Sequence, residues 1–379
     1  MKILIAGDFC PMDRVAKLID KEDYESVFGE IVKYTKLADY SIVNLEAPIV
    51  ETEAKPIDKC GPNLKCTSKA VKALKYAGFG MATLANNHFY DYGDDGVKQT
   101  LDACQKEGID VVGGGMNITD AAKTFYKEIK GVKVAFVNCC EHEFSIATDT
   151  SGGSNPLNPI QQYYAIKEAK QNADRVIVIV HGGHEHYQLP SPRMKETYRF
   201  FIDAGADAVI NHHQHCYSGY EIYHNKPIMY GLGNFSFDWP KRRNSIWNEG
   251  YMVMLNIEGE NVSFETIPYI QGNDNAGICI MDASNKQKFN SEIIKLNSII
   301  ADDKQLQCTH EKWMTNNSKG YLLALEPYQG RYLSALYFRS LLPSFLNKKK
   351  CYRILNYVNC EAHLDRLKFM VKNKIYIIL

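Results

Sequence analysis

The chain has 379 residues, 45% of them hydrophobic, which is enough apolar material for one large folded domain and a smaller one. Its 44 basic and 44 acidic side chains cancel, so the overall charge argues against a protein built to bind nucleic acid. The charge is uneven, however, because the segment from Arg331 onward has ten Lys and Arg, two acidic residues and a net charge of +8. This basic segment is set apart from the rest of the chain.

The ends and the cysteines predict a cytoplasmic protein. The opening run MKILIAGDF is too short for the apolar part of a signal peptide, and no stretch approaches the ~20 apolar residues that a membrane-spanning helix needs. The eleven cysteines form no paired framework, and we expect buried thiols in a reducing compartment.

Five apolar runs predict buried strands, and each run ends at a side chain that can bind a metal or move a proton. In chain order, KILIAG leads to Asp8, YSIVNL to Glu46, GMATLAN to Asn87 and His88, RVIVIV to His181, and DAVIN to His212, His213 and His215. Helices are predicted near 22–38, 68–77, 94–107, 158–172 and 193–204. Strands alternating with helices indicate a largely parallel α/β sheet, in which the carboxyl ends of the strands share one crevice.

The pattern changes after Cys216 to short alternating runs that predict antiparallel strands: SGYEIYH, KPIMYGLG, EGYMVMLNIEG and NVSFETIPYI. The sequence thus predicts a first domain over 1–271 and a linker at QGNDNAG. A helical, basic C-terminal domain or extension is predicted over 278–379.

The polar strand ends form a mixed oxygen and nitrogen ligand set, which suits Mn, Fe or Zn. Six candidate ligands exceed the needs of one ion, and two divalent ions bridged by a carboxylate would use them all. In the His213-Gln214-His215 segment, an extended backbone would place both rings on one face. The six candidate ligands are Asp8, Glu46, Asn87, His181, His213 and His215.

Several runs together resemble the capsule-synthesis CapA family, also called the poly-γ-glutamate synthesis family. They are GDFCPMDR, SIVNLEAPI, TLANNHFYDYGDDGV, HGGHEHYQLPSP and GADAVINHHQHCYSGYEIYHNKPIMYGLGNFSFD. The resemblance covers about residues 1–270 and implies a calcineurin-like metallophosphoesterase fold, a four-layer α/β/β/α sandwich.

The resemblance also implies roles. Asp8 is similar to the carboxylate of the first metal motif, Glu46 to the bridging carboxylate and Asn87 to a ligand of the second metal. His181 and His213 would complete one metal and His215 the other. His88 would protonate the leaving group, while Arg14, His184 and Glu185 would contact substrate or support the ligands. The chain departs from the wider superfamily at Cys10, where a His is usual, and at Glu46, where an Asp is usual.

Structural roles remain open for several of these residues. Asp8 and Asp91 could cap helices, and Asn87 could stabilise a turn. Glu141 and Glu143 could reach the site or lie in a solvated loop. Isolated histidines are more often core or surface residues than ligands, and we treat four of them in this way: His142, His224, His310 and His363.

The sequence predicts a metal-dependent hydrolase or transferase of the metallophosphoesterase type that acts in capsule, poly-γ-glutamate or other surface-polymer synthesis. Its substrate would be a polymer intermediate or a small phosphorylated compound. The alternative is a non-catalytic accessory protein of a polymer synthesis or export complex, with a structural or vestigial metal site. The basic, aromatic C-terminal segment could contact the inner face of the membrane, and we expect no nucleic-acid partner.

Overall fold

The computed structural model describes residues 1–378 and gives side chains for residues 1–374. The chain divides into two compact units, Met1–Gln307 and the remainder from Cys308 onward. The domain boundary expected between residues 271 and 278 stays a prediction. Among the helices of the described part of the chain, none combines the length and the apolar character needed to cross a membrane.

The strands all lie in the first unit. In chain order they are β1 (Lys2–Phe9), β2 (Tyr40–Leu45), β3 (Met81–Thr83), β4 (Asp110–Val112), β5 (Gly114–Gly115), β6 (Phe125–Ile129), β7 (Val132–Cys140), β8 (Gly153–Ser154), β9 (Arg175–His181), β10 (Ala208–His212), β11 (Tyr220–Tyr223), β12 (Lys226–Met229), β13 (Asn234–Ser236), β14 (Glu249–Glu258), β15 (Asn261–Gln271) and β16 (Ile278–Ile280).

Helices alternate with the parallel strands and then make up the C-terminal part. They are α1 (Asp13–Asp20), α2 (Tyr24–Phe28), α3 (Ile31–Leu37), α4 (Lys69–Tyr76), α5 (Gly93–Glu107), α6 (Ile118–Ala121), α7 (Pro159–Asn172), α8 (Pro192–Ala204), α9 (Ala283–Ala301), α10 (Asp303–Ala324), α11 (Arg331–Phe338), α12 (Lys348–Asn359) and α13 (Glu361–Ile378). Two short 3-10 helices span Pro240–Arg242 and Ile246–Asn248.

The first sheet has the order β16-β15-β14-β1-β2-β3-β4, and β13 also pairs with β1. Strands β1 to β4 are parallel, whereas β14, β15 and β16 are antiparallel to their neighbours. The register places Asp8 beside Asn44 and Asn44 beside Thr83. The carboxyl ends of β1, β2 and β3 are therefore aligned at one edge.

The second sheet has the order β11-β12-β10-β9-β7-β6, with antiparallel strands β6 and β11 at its edges. Its central strands are parallel, and their register pairs His181 with His212. Every residue of β9 after Arg175 is buried, which is the burial expected for a strand covered on both faces.

Helices cover the outer faces of the two sheets, and the sheets pack against each other. Helices α7 and α8 contact β7, β9, β10 and β12, while α3 and α5 contact β1 and β4 of the first sheet. Between the sheets, the rings of Tyr40 and Phe136 lie 6.0 Å apart, and Asn138 accepts a hydrogen bond from the backbone of Ala85. The predicted four-layer α/β/β/α sandwich is confirmed.

The predicted helices and strands of the first unit are present, with one difference near the N-terminus. The helix predicted over 22–38 is divided into α2 and α3 at Gly29, whose positive φ of 42° is a backbone conformation that glycine adopts readily and other residues rarely do. The QGNDNAG run lies between β15 and β16, two strands that pair with each other.

The second unit is helical and exposes many large apolar side chains. Helices α12 and α13 pack together as a pair. Tyr337 is buried, with its ring 5.7 Å from that of Tyr328. Exposed apolar side chains of this unit include Tyr321, Tyr332, Phe338, Leu341, Phe345, Tyr352, Leu355, Phe369 and Met370.

Candidate metal centre

Polar strand ends from both sheets meet in the interior of the sandwich. Asp8 lies near the end of β1, Glu46 follows β2, and His181 ends β9. His213 and His215 follow β10, and all five side chains are buried. The sheets face each other, so side chains that are distant in sequence share one small volume.

One group of donor atoms surrounds the ring of His181. Its Nε2 lies 3.0 Å from Asn87 Oδ1, 3.1 Å from His213 Nδ1 and 3.5 Å from Glu46 Oε1. Ligands bound to one ion at ~2.0–2.2 Å lie roughly 3–3.5 Å from one another, so this spacing suits a shared cation. Glu46, His181 and His213, together with Asn87, can hold one ion.

A second group consists of Asp8, Glu46 and His215, which bring donor atoms within 4.8 Å of one another. The Asn234 Oδ1 atom lies 2.9 Å from His215 Nδ1, and Asn234 donates its amide hydrogens to the carbonyls of His215 and Trp247. The amide oxygen thus fixes the hydrogen on Nδ1. This leaves Nε2, 3.7 Å from Glu46 Oε1, as the nitrogen that can bind a metal. Glu46 belongs to both groups.

Hydrogen bonds hold the Asp8 carboxylate in place. Asn44 Nδ2 donates to Asp8 Oδ1 at 2.8 Å, and the backbone N–H of His213 donates to Oδ2 at 3.2 Å. Asn44 is itself fixed by hydrogen bonds that its Oδ1 accepts from Thr83 and Asn86. Burial raises the pKa of Asp8, and these hydrogen bonds together with His212 only partly oppose that effect.

The site fits a divalent cation because no described residue donates a hydrogen bond to the Glu46 carboxylate. Both of its carboxylate oxygens are buried without a hydrogen-bond donor among the described residues. Burial and the nearby Asp8 raise the pKa of Glu46 well above its ordinary value. Burial and the neighbouring His213 lower the pKa of His181 and His215, which favours the neutral imidazole that binds metals. A cation would stabilise the ionised Glu46 that burial alone disfavours.

The His-Gln-His segment reaches the site by a different backbone from the one predicted. Strand β10 ends at His212, and His213 and His215 have φ values of 91° and 55° rather than extended values. Non-glycine residues adopt such values rarely, and they do so most often at functional sites. The two rings therefore enter different ligand groups. His212 Nε2 lies 3.0 Å from the carbonyl oxygen of Ala6, to which it donates, so this ring is used in the packing of β10 on β1.

His88 is held by a carboxylate that is itself paired with a lysine. Its Nδ1 lies 2.7 Å from Asp91 Oδ2 and 3.2 Å from Lys59 Nζ, and Lys59 forms an ion pair with Asp91 Oδ1. A carboxylate only accepts, so Nδ1 donates to Asp91 and Nε2 is left for other contacts. Helix α5 begins after Tyr92 without a side-chain cap, so Asp91 does not have the capping role that the sequence left open.

Arg14 and Glu185 lie in different surroundings. The Arg14 guanidinium binds the buried Asp238 carboxylate and the carbonyls of Gly272, Asn273 and Asp274. The Glu185 side chain is half exposed, yet lies close enough to raise the pKa of Glu46, after the larger effects of burial and Asp8. Their contacts with substrate stay predictions.

Sequence reasoning missed Lys59 and Asn234 and left Glu143 undecided. Glu143 Oε2 accepts a hydrogen bond from Asn87 at 3.3 Å, and its Oε1 lies 3.7 Å from His213 Nε2. Asn44 was also missed, although it could have been found from sequence because it stands two residues before Glu46 at the same strand end. Nothing in the sequence pointed to Lys59, since it lies in a segment without regular periodicity.

Comparisons with known proteins agree with this geometry. The family model described as bacterial capsule synthesis protein PGA_cap matches residues 2–239, a range that contains every candidate ligand. The chain is 34% identical over 255 residues to the capsule biosynthesis protein CapA of Bacillus anthracis, covering 65% of this chain and 62% of that protein. It is also 34% identical over 246 residues to the PGA biosynthesis protein CapA of Bacillus subtilis strain 168, covering 63% and 64%.

The chain therefore spans less than two thirds of the length of either relative. A crystal structure of a hypothetical protein from Thermus thermophilus aligns with a TM-score of 0.47 and 16% identity, covering 74% of this chain and 100% of that chain.

Proposed function

Because the chain belongs to the bacterial capsule synthesis family PGA_cap, we propose that it is a metal-dependent hydrolase or transferase in the synthesis of a bacterial surface polymer. The two Bacillus relatives are named for capsule biosynthesis and for PGA biosynthesis, which supports poly-γ-glutamate or a related polymer as the product pathway. The substrate would be a phosphorylated or amide-linked intermediate.

One observation carries the catalytic part of this proposal: the buried Glu46 carboxylate has no hydrogen-bond donor among the described residues and belongs to two groups of imidazole and oxygen ligands. We assign Glu46, His181, His213 and Asn87 to one ion and Asp8, Glu46 and His215 to the other. A bound Mn, Fe or Zn ion would lower the pKa of water and polarise a phosphoryl or carbonyl oxygen.

His88 would supply the proton for the leaving group. Its Nδ1 donates to Asp91, so in the cationic ring, which carries a hydrogen on both nitrogens, Nε2 is the atom that would pass a proton to an oxygen or nitrogen of the substrate. His88 is mostly buried and adjoins Asn87, a proposed ligand. The ring therefore stands beside the metal groups with one nitrogen fixed by the protein.

The second candidate is a non-catalytic accessory protein with a structural metal site, and Cys10 favours it. Burial, reinforced by Glu46, raises the pKa of the Cys10 thiol well above its ordinary value, so it stays neutral where related enzymes place a histidine. The group of Asp8, Glu46 and His215 then has three protein ligands. A site of this kind would bind its ion more weakly than a complete one.

Metal content and turnover, measured together, separate the two candidates. We expect about two equivalents of metal by mass spectrometry in protein purified without a His tag, and about one in Asp8→Ala and in His213→Ala. His88→Ala should keep its metal and lose phosphodiester or amide turnover by roughly 10²- to 10⁴-fold. His363→Ala, outside the site, is the matched control. Bound metal without turnover on any substrate would favour the accessory role, and absence of metal under every supplement would refute both metal-site assignments.

We also propose that the second unit contacts an anionic membrane surface. From Arg331 onward the chain carries a net charge of +8, and aromatic side chains such as Tyr332, Phe345 and Tyr352 are exposed. Basic and exposed aromatic side chains together are typical of peripheral membrane binding.

A further inference from the structure

Lys59 is a buried lysine next to the proposed proton donor. Only 3% of its side chain is exposed, and its ammonium pairs with Asp91, whose side chain is fully buried. The same nitrogen lies 3.2 Å from His88 Nδ1. Lysine is almost never buried unless it is paired, because removing an ammonium from water costs several kcal/mol. The lysine, the aspartate and the histidine therefore form one buried polar cluster.

Lys59 lies in the connection between β2 and α4. Residues 50–66 of this connection are called the strap. The strap is fastened to Asp91 at two further points: the backbone N–H of Ile57 donates to the Asp91 carbonyl at 2.9 Å, and that of Leu64 donates to Asp91 Oδ2 at 2.6 Å. Within the strap, Asn63 Nδ2 donates to the carbonyl of Ile57 at 2.8 Å. The strap thus contributes three hydrogen-bond donors to Asp91, namely the Lys59 ammonium and the two backbone N–H groups.

These contacts fix both oxygens of Asp91. Oδ1 faces Lys59, while Oδ2 accepts from Leu64 and from His88 Nδ1. The Lys59 ammonium balances the charge of a carboxylate that has no access to water, so the carboxylate can remain in position as the acceptor for His88. Without that cation, Asp91 would be a buried charge balanced only by neutral donors.

We infer that Lys59 is a positioning residue that acts through Asp91 to hold the His88 ring with its hydrogen on Nδ1 and its Nε2 toward the metal groups. The inference rests on the function proposed above only in making His88 the proton donor. The described contacts of the Lys59 ammonium are with Asp91 and His88, so we expect it to affect the reaction chiefly through proton transfer.

A merely structural lysine would stabilise the strap without affecting proton transfer, and variants can separate the two roles. Lys59→Met removes the charge and keeps the length, and Lys59→Arg restores a cation. Asn63→Ala loosens the strap and leaves the contacts of Asp91 intact, which makes it the matched control. Metal content and the unfolding midpoint are measured for each.

The catalytic test uses aryl methyl phosphodiesters with either a 4-nitrophenol or a phenol leaving group. Loss of proton donation slows the poor leaving group more, so Lys59→Met should lose about 10- to 100-fold more turnover on the phenyl ester than on the nitrophenyl ester. His88→Ala should show the same selectivity, Lys59→Arg should recover part of the loss, and Asn63→Ala should keep the parent ratio. An equal loss on both esters in Lys59→Met would overturn the inference.

A second measurement decides the inference even if the parent hydrolyses neither ester. In protein labelled with ¹⁵N-histidine, the His88 ring signals, assigned by their absence in His88→Ala, should report a hydrogen held on Nδ1 in the parent and in Asn63→Ala, whether or not Nε2 also carries one. Lys59→Met should show a mixture of ring forms or faster exchange of that hydrogen. An unchanged His88 signal in Lys59→Met would refute the positioning role, whereas an inactive parent alone would refute only the proposed function.

Discussion

At the scale of single residues, Glu46 has an environment that suits a cation. Its two carboxylate oxygens lack hydrogen-bond donors among the described residues, and burial raises its pKa well above the ordinary value. The metal-free protein thus favours a neutral side chain at this position, and glutamine is a neutral side chain of nearly the same shape.

We predict that Glu46→Gln unfolds with the same free energy as the parent in the presence of a chelator, to within about 1 kcal/mol. Added Mn²⁺ or Zn²⁺ should stabilise the parent, by about 2.7 kcal/mol at a metal concentration of 100 times Kd, and should leave Glu46→Gln unchanged. Denaturant unfolding with and without metal measures both effects. Glu53→Gln, at an exposed position, is the control.

Equal stabilisation of Glu46→Gln and the parent by metal would show that Glu46 is not a ligand. Destabilisation of the variant in chelator by several kcal/mol would show instead that the carboxylate has a protein partner. The two results are distinguishable because the first requires metal and the second does not.

The candidate ligands could be found from sequence because each follows an apolar run that predicts a buried strand. Asp8, Glu46 and His181 need only the strand pattern and the rule that parallel strands present their carboxyl ends together. The backbone of His213 and His215 could not be predicted in this way, since a positive φ at histidine has no sequence signal. Lys59 was missed because its partners depend on how the strap folds.

At the scale of secondary structure elements, Asp238 ties three segments together beside the site. It follows β13 and binds Arg14 of α1 and Arg243 after the first 3-10 helix. Arg14 continues to the carbonyls of Gly272 and Asn273 after β15. Burial raises the pKa of Asp238, but the hydrogen bonds and charges of the two arginines outweigh burial and lower it.

Asp238→Asn should therefore destabilise the protein, by about 3 kcal/mol near neutral pH, because two arginines lose the anion between them. A lowered carboxyl pKa in the folded state adds stability above the ordinary value of 3.8, and this stability is lost as pH falls through the folded value. Between about pH 6 and about pH 3, the difference in unfolding free energy between parent and variant should thus stay constant at first and shrink once pH falls below about 5, where the unfolded carboxyl begins to bind a proton.

Urea unfolding of both proteins across that pH range measures this difference. Asp20→Asn, at an exposed position, is the control, and its difference in unfolding free energy from the parent should not shrink in this way as pH falls. A difference between Asp238→Asn and the parent that stays constant down to pH ~3 would contradict the assigned role, because below pH 3.8 the unfolded carboxyl binds a proton that the folded one resists, which lowers the stability of the parent.

At the scale of the whole molecule, the two units differ in chemistry. The family match and all candidate ligands lie within the first unit, whereas the second has exposed aromatic side chains and, from Arg331 onward, a net charge of +8. The sequence predicted the strands and helices of the first unit because their periodicities are regular there, and the family resemblance implied the four layers. It predicted helices for the second unit, but it did not predict that Tyr337 would be buried while Tyr332 and Tyr352 stay exposed.

Vesicle flotation of the full chain tests membrane contact by the second unit. The parent should float with vesicles of phosphatidylcholine and phosphatidylglycerol and stay at the bottom with phosphatidylcholine alone. Each lysine near an anionic surface contributes about 1 kcal/mol, so reversing Lys348, Lys349 and Lys350 to glutamate should weaken binding at least about a hundredfold.

The control reverses three exposed lysines of the first unit, which makes the same change in net charge and should leave flotation intact: Lys36, Lys72 and Lys106. Equal losses in both triple variants would mean that net charge governs binding, and flotation on neutral vesicles would mean that apolar contact suffices. The lipid contact lies on α12 only if flotation is lost in the Lys348, Lys349 and Lys350 variant alone and if added salt weakens flotation of the parent.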